Sequence, residues 1–250
     1  MTSISRSSAT VAAAMFLALS LPQPAPAQSI SPVQRTEIEK IIRDYLLANP
    51  EVLQEAYSEL ERRKIKAALQ SVSQDLFHSS RHVVLGNPKG DVTLVEFFDY
   101  NCGFCKRALD DMLALLQTDS KLKIILKEFP VLGPESMEVA QVAVAVRMQD
   151  KSGKRYLDFH QKLLGQRGTI NRAQALAAAK DAGLDMSRLE KDMASDEIKE
   201  TLAENFKIAD ALGINGTPTY VVGSEMLVGA VGLAALKEKI NTTRCGKAIC

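Results

Sequence analysis

Two cysteines separated by two residues, Cys102-Gly103-Phe104-Cys105, stand at the junction of a β-rich apolar run and a helical pattern, and this junction narrows the fold more than any other feature. Upstream, Val92-Thr93-Leu94-Val95-Glu96-Phe97-Phe98 carries the branched and aromatic side chains of a buried strand, entered through the turn signal Asn87-Pro88-Lys89-Gly90. Downstream, Leu109, Met112, Leu113 and Leu116 recur at helical spacing, and Leu122 to Phe129 reads as the next strand. Strand, helix, strand is a crossover unit, which makes the two strands parallel neighbours in an α/β domain. The short runs His82–Gly86, Thr219–Val222 and Glu225–Val228 read as further strands. Between about 134 and 212 the pattern is almost wholly helical and Ala-rich, far more than a crossover needs.

A bare C-x-x-C is common and can be half of a zinc site. Its placement here says more. The first cysteine falls at a helix N-terminus, where unpaired N–H groups and the helix dipole favour a thiolate, so Cys102 is expected to be the nucleophile. Cys105, one turn inside the helix, is expected to resolve the mixed disulfide that Cys102 forms. A zinc site would need ligands from Cys245, Cys250 or the scattered His78, His82 and His160, and no second knuckle or paired-histidine spacing is present. The expectation is therefore a redox pair, with no metal and no cofactor.

The 250 residues suffice for one domain plus an accessory element. With 31 Lys and Arg against 30 Asp and Glu, the chain has no global field to gather nucleic acid, and no nucleic-acid partner is expected. The N-terminal segment has Arg6, an apolar stretch from Ala9 to Leu21, prolines at 22, 24 and 26, and the small residues Ala25 and Ala27. Too short to span a bilayer as a helix, the stretch suits a secretory signal over residues 1–27 with cleavage near Gln28; an uncleaved anchor is the alternative. Export would place the cysteines in a compartment where disulfides persist, the periplasm.

Residues 28–80 read as a helical arm. A stripe of Ile38, Ile41, Ile42, Tyr45 and Leu46 is followed by Asn49-Pro50, where Asn as N-cap and Pro at the first helical position would restart the helix. A second stripe runs through Leu53, Tyr57 and Leu60, slips by five residues around Glu61-Arg62-Arg63-Lys64, and resumes at Ile65, Leu69, Val72 and Leu76. The arm either packs on the domain of 81–250 or joins copies of the chain into a homo-oligomer. At the other end, Cys245 and Cys250 enclose four residues, so a bridge between them adds only about 2 kcal/mol. A structural tail disulfide is expected there, with a redox relay or an intermolecular link as alternatives.

The stretch from Val95 to Lys106 resembles the active-site strand and helix start of the DsbA-like branch of the thioredoxin superfamily. Lys127-Glu128-Phe129-Pro130 with Gly133-Pro134 resembles that branch's following strand and turn, and Gly213-Ile214-Asn215-Gly216-Thr217-Pro218-Thr219-Tyr220 its cis-proline segment. The similarity covers about Arg81 to Ile240, and the arm is similar to that of the oligomeric, ScsC-like or Com1-like exported members. The resemblance implies a thioredoxin-like α/β fold with a helical insertion at about 134–212 and an N-terminal helical extension. It implies a cis bond before Pro218, a substrate-binding surface formed by Thr217, Pro218, Gly103 and Phe104, and a buried acid, Glu96, that relays protons to or from Cys105. A solvated Glu at the strand edge is the alternative for Glu96.

One departure from the family matters: strongly oxidising members carry His before the second cysteine, whereas Phe104 neither donates a hydrogen bond nor adds charge. With Thr217 before the proline, this points to an exported thiol-disulfide oxidoreductase of isomerase or reductase character. Its partners would be cysteine-containing exported proteins and a membrane redox partner. A DsbA-type oxidase and a non-catalytic chaperone-like binding protein are the rivals.

Overall fold

The computed structural model describes residues 30–250. The expected signal sequence, residues 1–27, lies outside the described residues. Among the described residues no helix is long and apolar enough to cross a membrane. The chain divides into two compact units, one ending at Leu53 and the other running from Gln54 to Cys250.

In the first unit, helix α1 spans Pro32–Ala48. Its start is set by Ser31 and Gln34, which form a capping box around Pro32 at the first position. Asn49, expected to cap the second helix, instead turns its side chain back: Nδ2 donates to the Tyr45 carbonyl at 2.9 Å and closes α1. Only its main-chain carbonyl serves the next helix, accepting from Val52 N at 3.2 Å. No residue of α1 is buried, and Val33, Ile38, Ile41, Ile42 and Tyr45 are exposed.

The next helix, α2 (Glu51–Phe77), changes character at the five-residue slip. Tyr57 and Leu60 before it are exposed, and Glu59, Arg62 and Arg63 form surface ion pairs. After it, Leu69, Val72 and Leu76 are buried, with Ile65 packed beside them. The slip rotates the apolar stripe by well over a turn's tolerance, so only the second stripe meets the domain. The core of the domain thus begins near Ile65 rather than at 81.

Five strands form one sheet: β1 (Val83–Gly86), β2 (Val92–Phe98), β3 (Leu122–Glu128), β4 (Thr219–Val222) and β5 (Glu225–Val228). Their order is β1-β3-β2-β4-β5, with β2 and β3 parallel across helix α3 (Gly103–Thr118), as the strand–helix–strand pattern requires, and the other pairs antiparallel. Gly86 turns the chain at a φ of 71°, where an added Cβ would lie 2.6 Å from the Leu122 carbonyl oxygen; no side chain fits there.

The insertion comprises α4 (Pro134–Gln149), α5 (Lys154–Leu164), α6 (Arg172–Asp181), α7 (Met186–Met193) and α8 (Asp196–Ala211), and α9 (Leu233–Cys245) follows the last strand. Strand alternation sends side chains to two cores. Leu94, Phe98, Ile124 and Leu126 meet α3, α4 and α5 on one face, while Val95, Phe97, Ile125 and Val221 meet α2 and α8 on the other. On this second face the buried Lys127 reaches Glu204 Oε1 and the Asp75 carbonyl, both at 3.0 Å, tying α8 and α2 to β3. α4 has buried residues all round, from Val139 to Val146, which explains its lack of an amphipathic pattern.

Candidate active site

β2 ends at Phe98, and four residues later Cys102 is the N-cap of α3, offering no side-chain cap of its own. When protonated, its sulfur donates to the Thr217 carbonyl at 3.1 Å. When ionised, it is held down to a pKa of about 5, first by the Cys105 thiol that donates to it, then by the Thr217 side chain and the backbone N–H groups of Cys105 and Phe104, against the opposing cost of burial. Cys105 is fully buried, and its thiol is pushed up by burial, by donation to Cys102 and by the charge of Glu96. The two sulfurs are therefore unequal: one is a thiolate at neutral pH and its neighbour keeps its proton.

Glu96 is buried on β2, not solvated at a strand edge. Burial raises its carboxyl to about 8, and a hydrogen bond from Tyr220, its cross-strand neighbour on β4, offsets part of the rise; the charges of Asp111 and of the Cys102 thiolate add to it. Facing the pair, Thr217-Pro218 is the cis peptide bond of the described chain, and Pro218 is buried. Gly229 N donates to the Pro218 carbonyl at 2.8 Å, which brings the β5 end and exposed Val228 alongside. The Thr217 hydroxyl is buried with no hydrogen-bond partner other than what the sulfur can offer. Gly103 points into open space, since a Cβ there would meet nothing within 4 Å.

Three features escaped the sequence reading. Asp99, buried just before the pair, accepts from Asn101 N (2.8 Å) and Ser136 Oγ (2.7 Å) through one oxygen and from Val131 N (2.9 Å) and Leu132 N (3.1 Å) through the other. It clamps the active-site loop to the turn after β3, whose Leu132 is exposed. Arg107, one turn after Phe104, places its guanidinium 4.4 Å from the centre of the Phe104 ring. The dipeptide itself adds no charge, but the i,i+3 spacing brings one to it, and that spacing was the signal available in the sequence. Lys106 Nζ donates to the carbonyls of Gln166 (3.0 Å) and Gly168 (2.7 Å), fastening α3 to the insertion.

A second buried acid lies on the same sheet face. Glu128 on β3 accepts from Tyr156 OH at 2.6 Å, and Tyr156 meets Tyr100 OH, which meets His160 Nδ1, each at 3.2 Å. Burial raises the Glu128 carboxyl and lowers His160 to about 3. Cys245 and Cys250 are joined in a disulfide on the exposed tail, away from these groups. Among the described residues no three His, Cys, Asp or Glu side chains converge as metal ligands would.

A thiol pair at a helix N-terminus after a central strand, faced by a cis-proline, defines a thioredoxin-fold redox site. The model of the DSBA-like thioredoxin domain matches residues 93–241, and the chain belongs to that family. The model of the copper resistance protein ScsC N-terminal domain matches residues 34–67. Among solved structures, a thioredoxin-like oxidoreductase of Silicibacter pomeroyi is 38% identical, covering 68% of this chain and 96% of its own, with a TM-score of 0.64. A linker-deleted ScsC of Proteus mirabilis is 28% identical over 88% of this chain and 98% of its own (TM-score 0.69). The thiol-disulfide exchange protein alpha-DsbA2 of Wolbachia pipientis is 28% identical over 72% and 96% (TM-score 0.66). A curated relative, the Na(+)/H(+) antiporter NhaA 1 of Salinispora arenicola, is 26% identical over 168 residues, 66% of this chain. The chain spans about a quarter of the length of the curated relatives it matches, 25% in that case.

Proposed function

We propose that the protein is an exported thiol-disulfide oxidoreductase that acts on cysteines of periplasmic proteins, with isomerase or reductase character. The observation that carries this reading is the inequality of the two sulfurs at the N-terminus of α3. The Cys102 thiolate attacks a substrate disulfide, or its own disulfide is attacked by a substrate thiolate; Cys105 then loses its proton and displaces the substrate from Cys102. Glu96, raised to about 8 and coupled by its charge to Cys105, takes that proton and returns it. Thr217, Pro218, Gly103 and Phe104 form the surface on which the substrate lies.

Isomerase or reductase character draws support from Cys102. Its thiolate is less stabilised than that of a strong oxidant, whose cysteine pKa is about 3.5, and more than that of thioredoxin, about 7. The pair's potential accordingly falls between about −270 and −120 mV. Arg107 over Phe104 favours the oxidase side of that range. Cys102→Ser is expected to abolish insulin reduction and repair of scrambled disulfides while peptide binding persists. Unchanged turnover would instead make the protein a binding module.

In this reading residues 1–27 direct export, a membrane redox partner resets the pair, and the arm of 28–80 joins copies through the exposed stripe of α1. Light scattering on the mature chain should give more than one chain's mass, and a chain starting at Gln54 should be monomeric and active. A monomeric mature chain would remove the oligomer.

A further inference from the structure

The tail holds a second cysteine pair whose surroundings invert those of the first. Cys245 is the last residue of α9, where the helix carbonyls disfavour a thiolate, whereas Cys102 caps an N-terminus, where N–H groups favour one. Residues 245–250 are all exposed, while both active-site cysteines are buried. The tail bond staples nothing in the core. α9 is held without it, by the buried Leu236 and Ile240 and by Arg244, which pairs with Asp91 at 2.8 Å and Asp119 at 2.9 Å. Beside Cys250 stands Ile249, 85% exposed, an apolar side chain of the kind that the exposed Phe104, between the active-site cysteines, would accept.

We propose that the reduced tail pair, Cys245 and Cys250, is a substrate of a second copy of this chain, whose Cys102–Cys105 disulfide oxidises it to the tail disulfide. The inference rests on the reading of Cys102 as the attacked and attacking sulfur. Cys250, lying off the helix, loses its proton to solvent and attacks Cys102 of the second copy. The Cys102–Cys105 bond breaks, and its electron pair goes to Cys105, which takes up a proton. Cys245, deprotonated in turn, then attacks Cys250 in the mixed disulfide. The tail disulfide forms and Cys102 leaves as the thiolate. Two electrons pass from the tail to the active site, in the direction set by a stabilised thiolate at one end and none at the other.

The exchange runs between copies because the tail cannot reach its own active site. Arg244 is anchored to Asp119, the C-cap of α3, and to Asp91 at the start of β2, whereas Cys102 lies at the opposite end of both elements. The 16 residues of α3 span about 24 Å. Five residues beyond Cys245 extend at most about 17 Å.

The test mixes two full-length variants without oxygen. The donor, C102S/C105S with its tail reduced, is combined with equimolar oxidised C245S/C250S, then quenched by alkylation and read by mass. The tail disulfide should appear as the active-site disulfide disappears, one for one, and roughly tenfold faster than with equimolar glutathione disulfide. A donor that also carries Cys245→Ser should form no tail disulfide and leave the acceptor oxidised, since Cys105 then displaces Cys250 from Cys102 and the active-site disulfide re-forms. If C102S/C105S does not unfold cooperatively, fully reduced wild type replaces it, with the tail followed by peptide mass. A tail that stays reduced, or is oxidised no faster than by glutathione disulfide, while the same oxidant still oxidises dithiothreitol, overturns this inference and leaves the proposed function standing. Failure with dithiothreitol as well overturns both.

Discussion

Glu96 and Glu128 are carboxyls on the same face of neighbouring strands, both buried and both raised above the ordinary range, yet they keep different company. Glu96 acts on Cys105 and shares a proton environment with Tyr220. Glu128 accepts from Tyr156, and through it is linked to Tyr100 and His160, with one oxygen, Oε2, unpartnered. Desolvation is the largest cause of the rise in both, so the raised pKa does not separate a catalytic acid from a structural one. We propose that the neighbouring sulfur does, Cys105 being the group whose thiol the Glu96 charge raises.

The strongest way to break this contrast is to neutralise each acid in turn. Glu96→Gln should slow the resolving step about 100-fold in single-turnover exchange, since Gln can carry no proton away from Cys105. Glu128→Gln should leave that rate within a factor of about two and instead lower stability by about 1 to 3 kcal/mol, because the amide oxygen still accepts from Tyr156 while the NH2 takes the place of the unpartnered Oε2 and is buried without an acceptor. Equal kinetic losses in the two variants would place the chemistry in the wider network rather than at Glu96.

Stability as a function of pH sharpens the comparison next. A carboxyl raised in the fold stabilises most at low pH, and for Glu96 that contribution fades as pH climbs from about 4.5 to about 8. The depressed Cys102 thiol has the opposite sign: its contribution is absent below about 5 and grows toward its ordinary value near 9. Oxidation removes only the second. Glu96, Glu128, His82 and His160 titrate in both redox states, so the difference between them isolates Cys102: the gap between the urea midpoints of the two states should shift in favour of the reduced form as pH rises from about 5 to about 9. A gap that does not move with pH would mean that the fold does not stabilise the Cys102 thiolate.

The smallest effect concerns two hydroxyls. Thr217→Val removes the one near the sulfur and should slow exchange about threefold at pH 6 by raising the thiolate pKa. Tyr156→Phe removes the one on Glu128 and should leave exchange unchanged at a cost in melting temperature. A Thr217→Val rate equal to wild type would assign the sulfur's stabilisation to Cys105 and the backbone alone.

The strand, the cysteine pair, the helix and the returning strand were legible because their signals are local: a β-branched apolar run, a helix start and a turn all lie between residues 87 and 129. So were β4 and β5, and the long helical stretch between. The Asp99 clamp was not, since its four donors come from residues 101, 131, 132 and 136, which only the folded sheet brings together. The domain's reach back into α2 was half visible as a slip in the apolar stripe, but the slip shows which residues change face without showing what they face. Asn49 illustrates a subtler limit. A residue between two helices can serve either, and the side chain and the carbonyl of Asn49 serve one each.

Gly103 bears on how such a protein can be retuned. The position next to the nucleophile has no neighbour within 4 Å of an added side chain and no left-handed backbone to preserve, so it tolerates exchange without repacking. Phe104 beside it is also mostly in solvent. The two residues between the cysteines form an adjustable insert in an otherwise rigid frame. A library varied at these positions alone would sample redox potential almost independently of folding yield, which makes this chain a scaffold for matching an oxidoreductase to the disulfides of a chosen secreted product.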